Sequence, residues 1–377
     1  MALVPAHAEE TPVIVGAVVS QTGSQARLAE SYGNALLLWQ EQINAAGGLL
    51  GRKVELRMLD DHSEAARAGP AYASLLAEGA SLLVGPYGSA ATLVAGAEAD
   101  RARYVMANGG GASARVYKRP QQYVFQTLAP YASYGDGVLE LAREARCASL
   151  LIIARNDVAS VEMADAARER ALKTGFRVPE VEVYEAGEDL APRIAKARQP
   201  GFDGWLAFGE VRDVADLVIA MKHADYAPRF FYGSSAGDPR FIRLVGQDAE
   251  FALGSLAYDP ALATPYNATF VDAYVARWHY PPDSAAAQAY AAATVLARAV
   301  GRAGSLDQEK LRQALLALET GTVLGTYRVA ASGEQIGMKP AVVQILRGRR
   351  EVLWPRELRG EATLQPYVDW RERILLK

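Results

Sequence analysis

Short apolar runs with no polar face, alternating with amphipathic stretches, constrain this chain more than any other feature. Residues 13–19, VIVGAVV, form the first such run. A segment of this kind must be covered on both sides, as a strand inside a parallel sheet is when helices flank it. Tyr32, Leu36, Trp39 and Ile43 then recur at helical spacing and predict one apolar stripe, which Gly47-Gly48 ends. Val54, Leu56 and Met58 alternate as a strand with Asp60-Asp61 at its end. The next helix is predicted to run to Glu78-Gly79, with Gly69-Pro70 kinking it or delaying its start. SLLV (81–84) and YVMA (104–107) predict two more strands around a helix at about 90–102.

A second cycle follows the same rhythm. It has a strand at 149–152, a helix at 160–173 closed by Thr174-Gly175, and alternation at Val181 and Val183. WLAF (205–208) and RFFY (229–232) read as strands either side of a helix at about 212–223. The last third is mainly helical, at 265–278, 284–303 and 307–319, before strands at 327–329 and 341–346. No repeat beyond the strand–helix alternation is visible. Each cycle holds about four βα units, and helices on both faces of a parallel sheet are the stable way to bury them. A chain of 377 residues also exceeds the roughly 250–300 at which single cores stop growing. The expectation is an α/β protein of two Rossmann-like lobes, with ligands held beyond the carboxyl ends of the strands.

Composition narrows the function. Half the residues are apolar and 22% are charged, an ordinary globular mixture. Forty basic residues against 43 acidic give a net charge of −3, so nothing points to nucleic acid or an anionic membrane as partner. Cys147 is alone, which excludes an intramolecular disulfide and multi-cysteine metal sites, and the four histidines are scattered. No apolar run approaches the roughly 20 residues that span a bilayer. Neither a metal nor a cofactor is expected. Ala6-His7-Ala8 has the small-x-small form of a signal-peptidase site. The alternatives are chance in an alanine-rich chain, or residues 1–11 as the remnant of a signal peptide or tag.

Nucleophile, phosphate-loop and kinase motifs are absent, which argues against an enzyme and leaves no catalytic residue to name. Three small polar loops follow first-cycle strands instead. NGGGAS, from Asn108 through Gly110 and Gly111 to Ser113, lacks the dinucleotide pattern and reads as a tight turn or as a turn touching a ligand. GPYGSAAT, with Tyr87, Gly88 and Ser89, precedes a helix whose first amides favour an anionic or carbonyl group. Ser89 there is also a good helix-cap type. SQTGS, with Gln21, is the third. All three are expected on one edge of one sheet.

The segment SQTGSQARLAESYGNALLLWQEQINAAGGLLGRKVELRMLDD resembles the N-terminus of the leucine/isoleucine/valine-type periplasmic solute-binding proteins, type I binding proteins of ABC importers. INAAGGLLGRKVEL is its most specific part. GPYGSAAT, YVMANGGGAS, YVFQTLAPYASYGDG, the strand-loop-helix at 149–172 and YAAATVLARAVGRAGSLDQEKLRQAL also fit, so the likeness spans about 12–350.

The resemblance implies lobes of 12–127 plus 256–330 and 128–255 plus 336–360, with 361–377 as a C-terminal extension. It implies a three-strand hinge near Gln126–Leu128, Gly254–Ala257 and Tyr327–Lys339. Relatives hold the ligand carboxylate at the positions of Gly88-Ser89 and Gly110-Gly111-Ala112-Ser113. Here Ala112 stands where amino-acid binders often have threonine, and a first-lobe aromatic aligns near Ala26. Ala159 stands where a second-lobe aromatic covers the ligand, and Ser235 where leucine-type binders carry the acid that grips the ammonium. An ammonium buried without that partner is costly, so an aromatic or other organic acid is expected over a standard α-amino acid. Glu210 reads as a ligand contact or as a solvated carboxylate at a helix start. Tyr258 reads as a ligand contact or a hinge residue, and Tyr87 and Phe208 as ring faces for the ligand or as core. The implied protein is a periplasmic monomer serving an ABC permease and its ATPase subunits. An amino-acid binder, an amide- or urea-type sensor of the same fold, and an α/β enzyme are the alternatives.

Overall fold

In the computed structural model, residues 11–118, 122–198 and 201–373 are described. The Ala6-His7-Ala8 motif and residues 374–377 lie outside them. The chain divides into two units, Met1–Ala129 with Tyr258–Met338 and Pro130–Ala257 with Lys339–Lys377, and so passes from one to the other three times.

Before the first passage come β1 (Val13–Val18), α1 (Ala26–Ala45), β2 (Val54–Leu59), α2 (Ala65–Ala77), β3 (Leu82–Val84), α3 (Ser89–Ala102), β4 (Met106–Asn108) and β5 (Val124–Gln126). Between the first and second lie α4 (Asp136–Glu144), β6 (Leu150–Arg155), α5 (Val158–Lys173), β7 (Glu182–Tyr184), α6 (Ala191–Arg198), β8 (Gly204–Phe208), α7 (Val211–His223), β9 (Phe230–Gly233), α8 (Pro239–Val245) and β10 (Leu253–Leu256). Back in the first unit are α9 (Asn267–Trp278), α10 (Ser284–Ala303), α11 (Gln308–Ala317), β11 (Thr320–Thr322) and β12 (Gly325–Tyr327). β13 (Ala341–Leu346) and β14 (Arg349–Trp354) follow in the second.

The first unit holds a parallel five-stranded sheet in the order β2-β1-β3-β4-β5. On one face α2 and α3 pack Ala68, Tyr72, Leu75, Ala91, Ala95 and Ala99 onto Val18, Leu83, Met106 and Val124. Tyr72 also satisfies strand ends, its hydroxyl accepting from Val18 N and donating to the Val84 carbonyl. α1 buries Tyr32, Leu36 and Trp39, and packs against α10. Buried alanines at 285–287, 289 and 291–293 let α10 approach closely. α2 begins at Ala65, ahead of Pro70, and runs through it. A proline there withdraws a single N–H from the helix, which packing against α3 outweighs.

The second unit holds seven strands in the order β14-β13-β10-β9-β8-β6-β7. β10, β9, β8, β6 and β7 run parallel, and β13 and β14 add an antiparallel edge. Both faces of the central strands are buried. Leu150, Ile152, Leu206, Phe208 and Tyr232 enter one core, while Leu151, Ile153, Trp205, Ala207 and Phe231 enter the other. The period of two with apolar residues on both faces is what produced the unbroken apolar runs.

Several expected boundaries move, and residues 128–129 group with the first unit. Residues 336–338 group with the first unit, not the second, because Ile336 N and Gly337 N donate to the Arg328 carbonyl and close a hairpin there. Residues 256–257 group with the second, because β10 pairs with β13. The stretch expected as an extension past 360 packs down instead. Tyr367 and Trp370 are buried, Trp370 Nε1 donates to the Tyr226 carbonyl at 2.8 Å, and Arg373 stacks on both rings.

Candidate functional site

β1, β3 and β4 are parallel neighbours, so the loops after them share one edge of the first sheet. Two of these loops are fastened together. Gly88 N donates to the Gly110 carbonyl at 3.0 Å, and Ser113 N donates to Ser89 Oγ at 3.2 Å. Gly88, at φ +92°, holds the cap position of α3, and Ser89 is the first helical residue. The Ser89 oxygen therefore serves the neighbouring loop rather than its own helix. Its hydroxyl hydrogen is given to no described residue, and it lies beside first-turn amides that a helix leaves without internal acceptors.

The glycines of the 109–111 turn admit close approach of neighbouring protein. A Cβ at Gly110 would lie 2.2 Å from the Pro86 carbonyl oxygen and 2.5 Å from Tyr87 Cα, and one at Gly111 would lie 2.7 Å from Thr92 Cβ and Oγ1. Asn108 is fully buried. Its Oδ1 accepts from Gly110 N (3.1 Å) and Gly111 N (2.7 Å), and its Nδ2 donates to the Gly111 carbonyl (2.8 Å) and the Tyr117 hydroxyl (2.9 Å). These bonds of Asn108, Gly110 and Gly111 hold the loop's shape. Ser113 is buried as well, and its Oγ accepts from Arg115 N. Tyr87 is partly buried, edge-on to Tyr32 at 6.2 Å, while the Tyr32 hydroxyl donates to the Gly85 carbonyl at 2.6 Å.

The first loop is tied elsewhere. Gln21 is exposed, and Thr22 Oγ1 lies 2.7 Å from both Asp60 Oδ2 and His62 Nδ1. Ser63 Oγ donates to the Thr22 carbonyl at 2.7 Å. Desolvation raises the Asp60 carboxyl, but the Thr22 hydroxyl, the His62 and Thr22 amides and the His62 ring hold it below its ordinary value.

At the matching edge of the second sheet the groups are ionic. Arg155 closes β6, with its guanidinium 3.1 Å from Glu210 Oε1 and 3.3 Å from Asp213 Oδ2. Asp157 caps α5 by accepting from Ser160 N at 2.9 Å. Glu210 caps α7 in a reciprocal capping box with Asp213. Glu210 is thus a helix-start carboxylate, its side chain 76% exposed, with Arg155 as partner. Tyr184 is buried at the end of β7 with its hydroxyl unpartnered among the described residues. Burial first, then the Asp213 charge, pushes the pKa of its hydroxyl above the ordinary value.

Ser235 is partly buried, and its Oγ is enclosed without a hydrogen-bond partner among the described residues. Ala159 sits in the first turn of α5, partly buried. Phe208 is fully buried against Tyr232, with ring centroids 5.7 Å apart. The buried Tyr258 hydroxyl donates to Asn267 Oδ1 at 2.8 Å, and its ring meets Phe270 edge-on. The sequence reading missed Arg155 and Asp213, and it named the SQTGS loop and the Gln126–Leu128 crossover without singling out Thr22 or Gln126. A lone arginine closing the apolar run 150–154 was the available signal for the first.

Among the described residues no group of His, Cys, Asp or Glu is placed to hold a metal ion, and no helix is long and apolar enough to cross a membrane. The leucine-, isoleucine-, valine-, threonine-, and alanine-binding protein of Pseudomonas aeruginosa is 23% identical, over 83% of this chain and 84% of its own length. An ABC transporter substrate-binding protein from Desulfitobacterium hafniense, solved in complex with Leu, superimposes with a TM-score of 0.76 at 22% identity, over 91% of this chain and 100% of that one. A solute-binding protein from R. palustris, solved in complex with benzoate, superimposes at 0.70 with 17% identity, over 95% and 97% of the two chains. These structural likenesses carry the fold: helix-flanked parallel sheets of the type I binding-protein kind. The periplasmic binding protein model matches residues 12–350, nearly the whole sequence, and the chain belongs to that family.

Proposed function

We propose that this chain is the periplasmic solute-binding component of an ABC importer, and that it captures a small organic acid rather than a standard α-amino acid. The carrying observation is Ser89. Its oxygen fastens the 109–113 loop while its hydroxyl hydrogen stays available beside the first amides of α3. That arrangement suits one end of a carboxylate. Absence of a counter-charge for an ammonium supports the second half. Ser235 stands where leucine-type relatives carry the acid, and the nearby Asp213 and Glu210 are engaged by Arg155 and by the start of α7. The protein named with benzoate shows that the fold accommodates an aromatic acid. Capture shifts a hinge equilibrium between the two lobes, with the monomer delivering its load to a permease and no bond of the ligand made or broken.

The relatives named for leucine, isoleucine and valine favour an amino-acid binder as the second reading. A thermal-unfolding screen separates the two, because a ligand that binds only the folded chain raises its apparent stability. Benzoate-like acids are expected to give the largest shift and branched-chain amino acids little. The reverse order would overturn the choice of ligand. Recovery of the bound compound unchanged is expected, and its turnover would overturn the transport role.

A further inference from the structure

We infer that Gln126 is a positioning residue for ligand capture, setting the 109–113 loop and linking it to the stretches through which the chain leaves the first unit. The inference rests on the reading above that this loop belongs to the ligand site. Gln126 ends β5 and is fully buried, and its amide is engaged at both ends. Nε2 donates to the Gly111 carbonyl at 3.0 Å, and Oε1 accepts from Gln335 N at 3.2 Å. Its own N–H donates to the Gly333 carbonyl at 2.8 Å. The next residue, Thr127, gives its N–H and its hydroxyl to the Asn108 carbonyl at 2.9 and 3.1 Å. The loop carbonyl at Gly111 therefore takes donors from Asn108 and Gln126 together.

The far end of this chain of amides is the hairpin that precedes the third passage. Gln335 Oε1 accepts from Arg328 N (3.1 Å) and Gly337 N (2.8 Å). Gly333 lies so close to β5 that a Cβ there would be 2.1 Å from the Val124 carbonyl oxygen. Gln335 is only 2% exposed, yet its Nε2 has no partner among the described residues. A buried donor left unpaired is costly, so the network stands one bond short and gains by any shift that supplies an acceptor. Loading the loop moves the Gly111 carbonyl, and Gln126 passes that displacement to both exit stretches.

The Gln126 carboxamide donates to a carbonyl and accepts from an N–H, a pair of roles that neither methionine nor glutamate supplies, which gives the test. Hydrogen exchange of the full chain is followed without ligand, with benzoate and with leucine, beside calorimetric affinities for each. In the unsubstituted protein the binding probe should slow exchange at 109–113 and also at 124–128 and 328–337. Gln126→Met, and Gln126→Glu, which keeps the acceptor and loses the donor, should retain the effect at 109–113 and lose it at 328–337. Their Kd should weaken about tenfold. Binding by the unsubstituted protein with no slowing at 328–337 overturns the inference without any variant, and so does an unaltered pattern in either one. Failure of both probes to bind overturns it together with the ligand assignment, and the calorimetry alone reveals that case.

Discussion

Around the loops after β3 and β4 of the first sheet the polar groups on offer are backbone amides, hydroxyls and carboxamides, whereas the carboxyl edge of the second sheet is built from Arg155, Asp157, Glu210 and Asp213. Neither 85–89 nor 109–113 contains a charged side chain. A negative group arriving there meets donors that are not already neutralised. On the second edge the charges answer each other, and all three acids also serve helix starts. The difference teaches that the densest cluster of ionisable groups need not be the reactive one: its members hold helices in place, while the neutral edge keeps free capacity.

The comparison breaks first at Gly110. Gly110→Ala drives a Cβ into the Pro86 carbonyl, and should cost about 3 kcal/mol in denaturant unfolding and abolish binding. A cost under about 1 kcal/mol would mean that the two loops part easily. Next in size is Asp213→Ala, which removes the capping box and the buried anchor of Arg155, at about 2 kcal/mol of stability. Glu210→Gln, on a largely exposed side chain, should stay within about 0.5 kcal/mol. Equal costs for the two would erase the distinction drawn between them. Ser89→Ala should weaken the binding of a carboxylate probe by about 1 kcal/mol, and an unchanged Kd would reduce Ser89 to a fastener of loops.

The smallest effect concerns acid. The Asp60 carboxyl is held below its ordinary value in the folded chain. It therefore contributes stability above the unfolded value near ~3.9, lost as pH falls through the lower folded value. Thermal unfolding of Asp60→Asn should show less acid sensitivity than the parent over that window. Identical profiles would mean that the Thr22–Asp60–His62 cluster does not hold the first loop.

What could be read from the residues alone follows from range. Val13–Val18 and Gly204–Phe208 are buried on both faces, and that leaves an unbroken apolar run. β5 and β10 are three and four residues long and carry Gln126 or Gly254-Ser255, so nothing local separates them from connecting chain. β14 reads RREVLW because it is an edge strand with one wet face, and Tyr367 and Trp370 obey no period. The three loops were legible because glycine and serine after a strand have a local reason. The role of Asn108 was not, since its work is defined by partners at Tyr117 and across the turn. Arg155 shows the same limit: its acids sit at Glu210 and Asp213, beyond any spacing rule.

α1 and α10 pack together in the first unit, and the Tyr290 hydroxyl donates to Gln42 Oε1 at 2.5 Å across that seam. They stand far apart in the order of synthesis, because most of the second unit is made between them. A nascent chain emerging from its N-terminus thus leaves the surfaces of α1, β3 and β4 that α10 covers bare until the ribosome has passed residue 303. Throughout that interval a chaperone, or the unfinished chain itself, must shield those surfaces from neighbouring polypeptides.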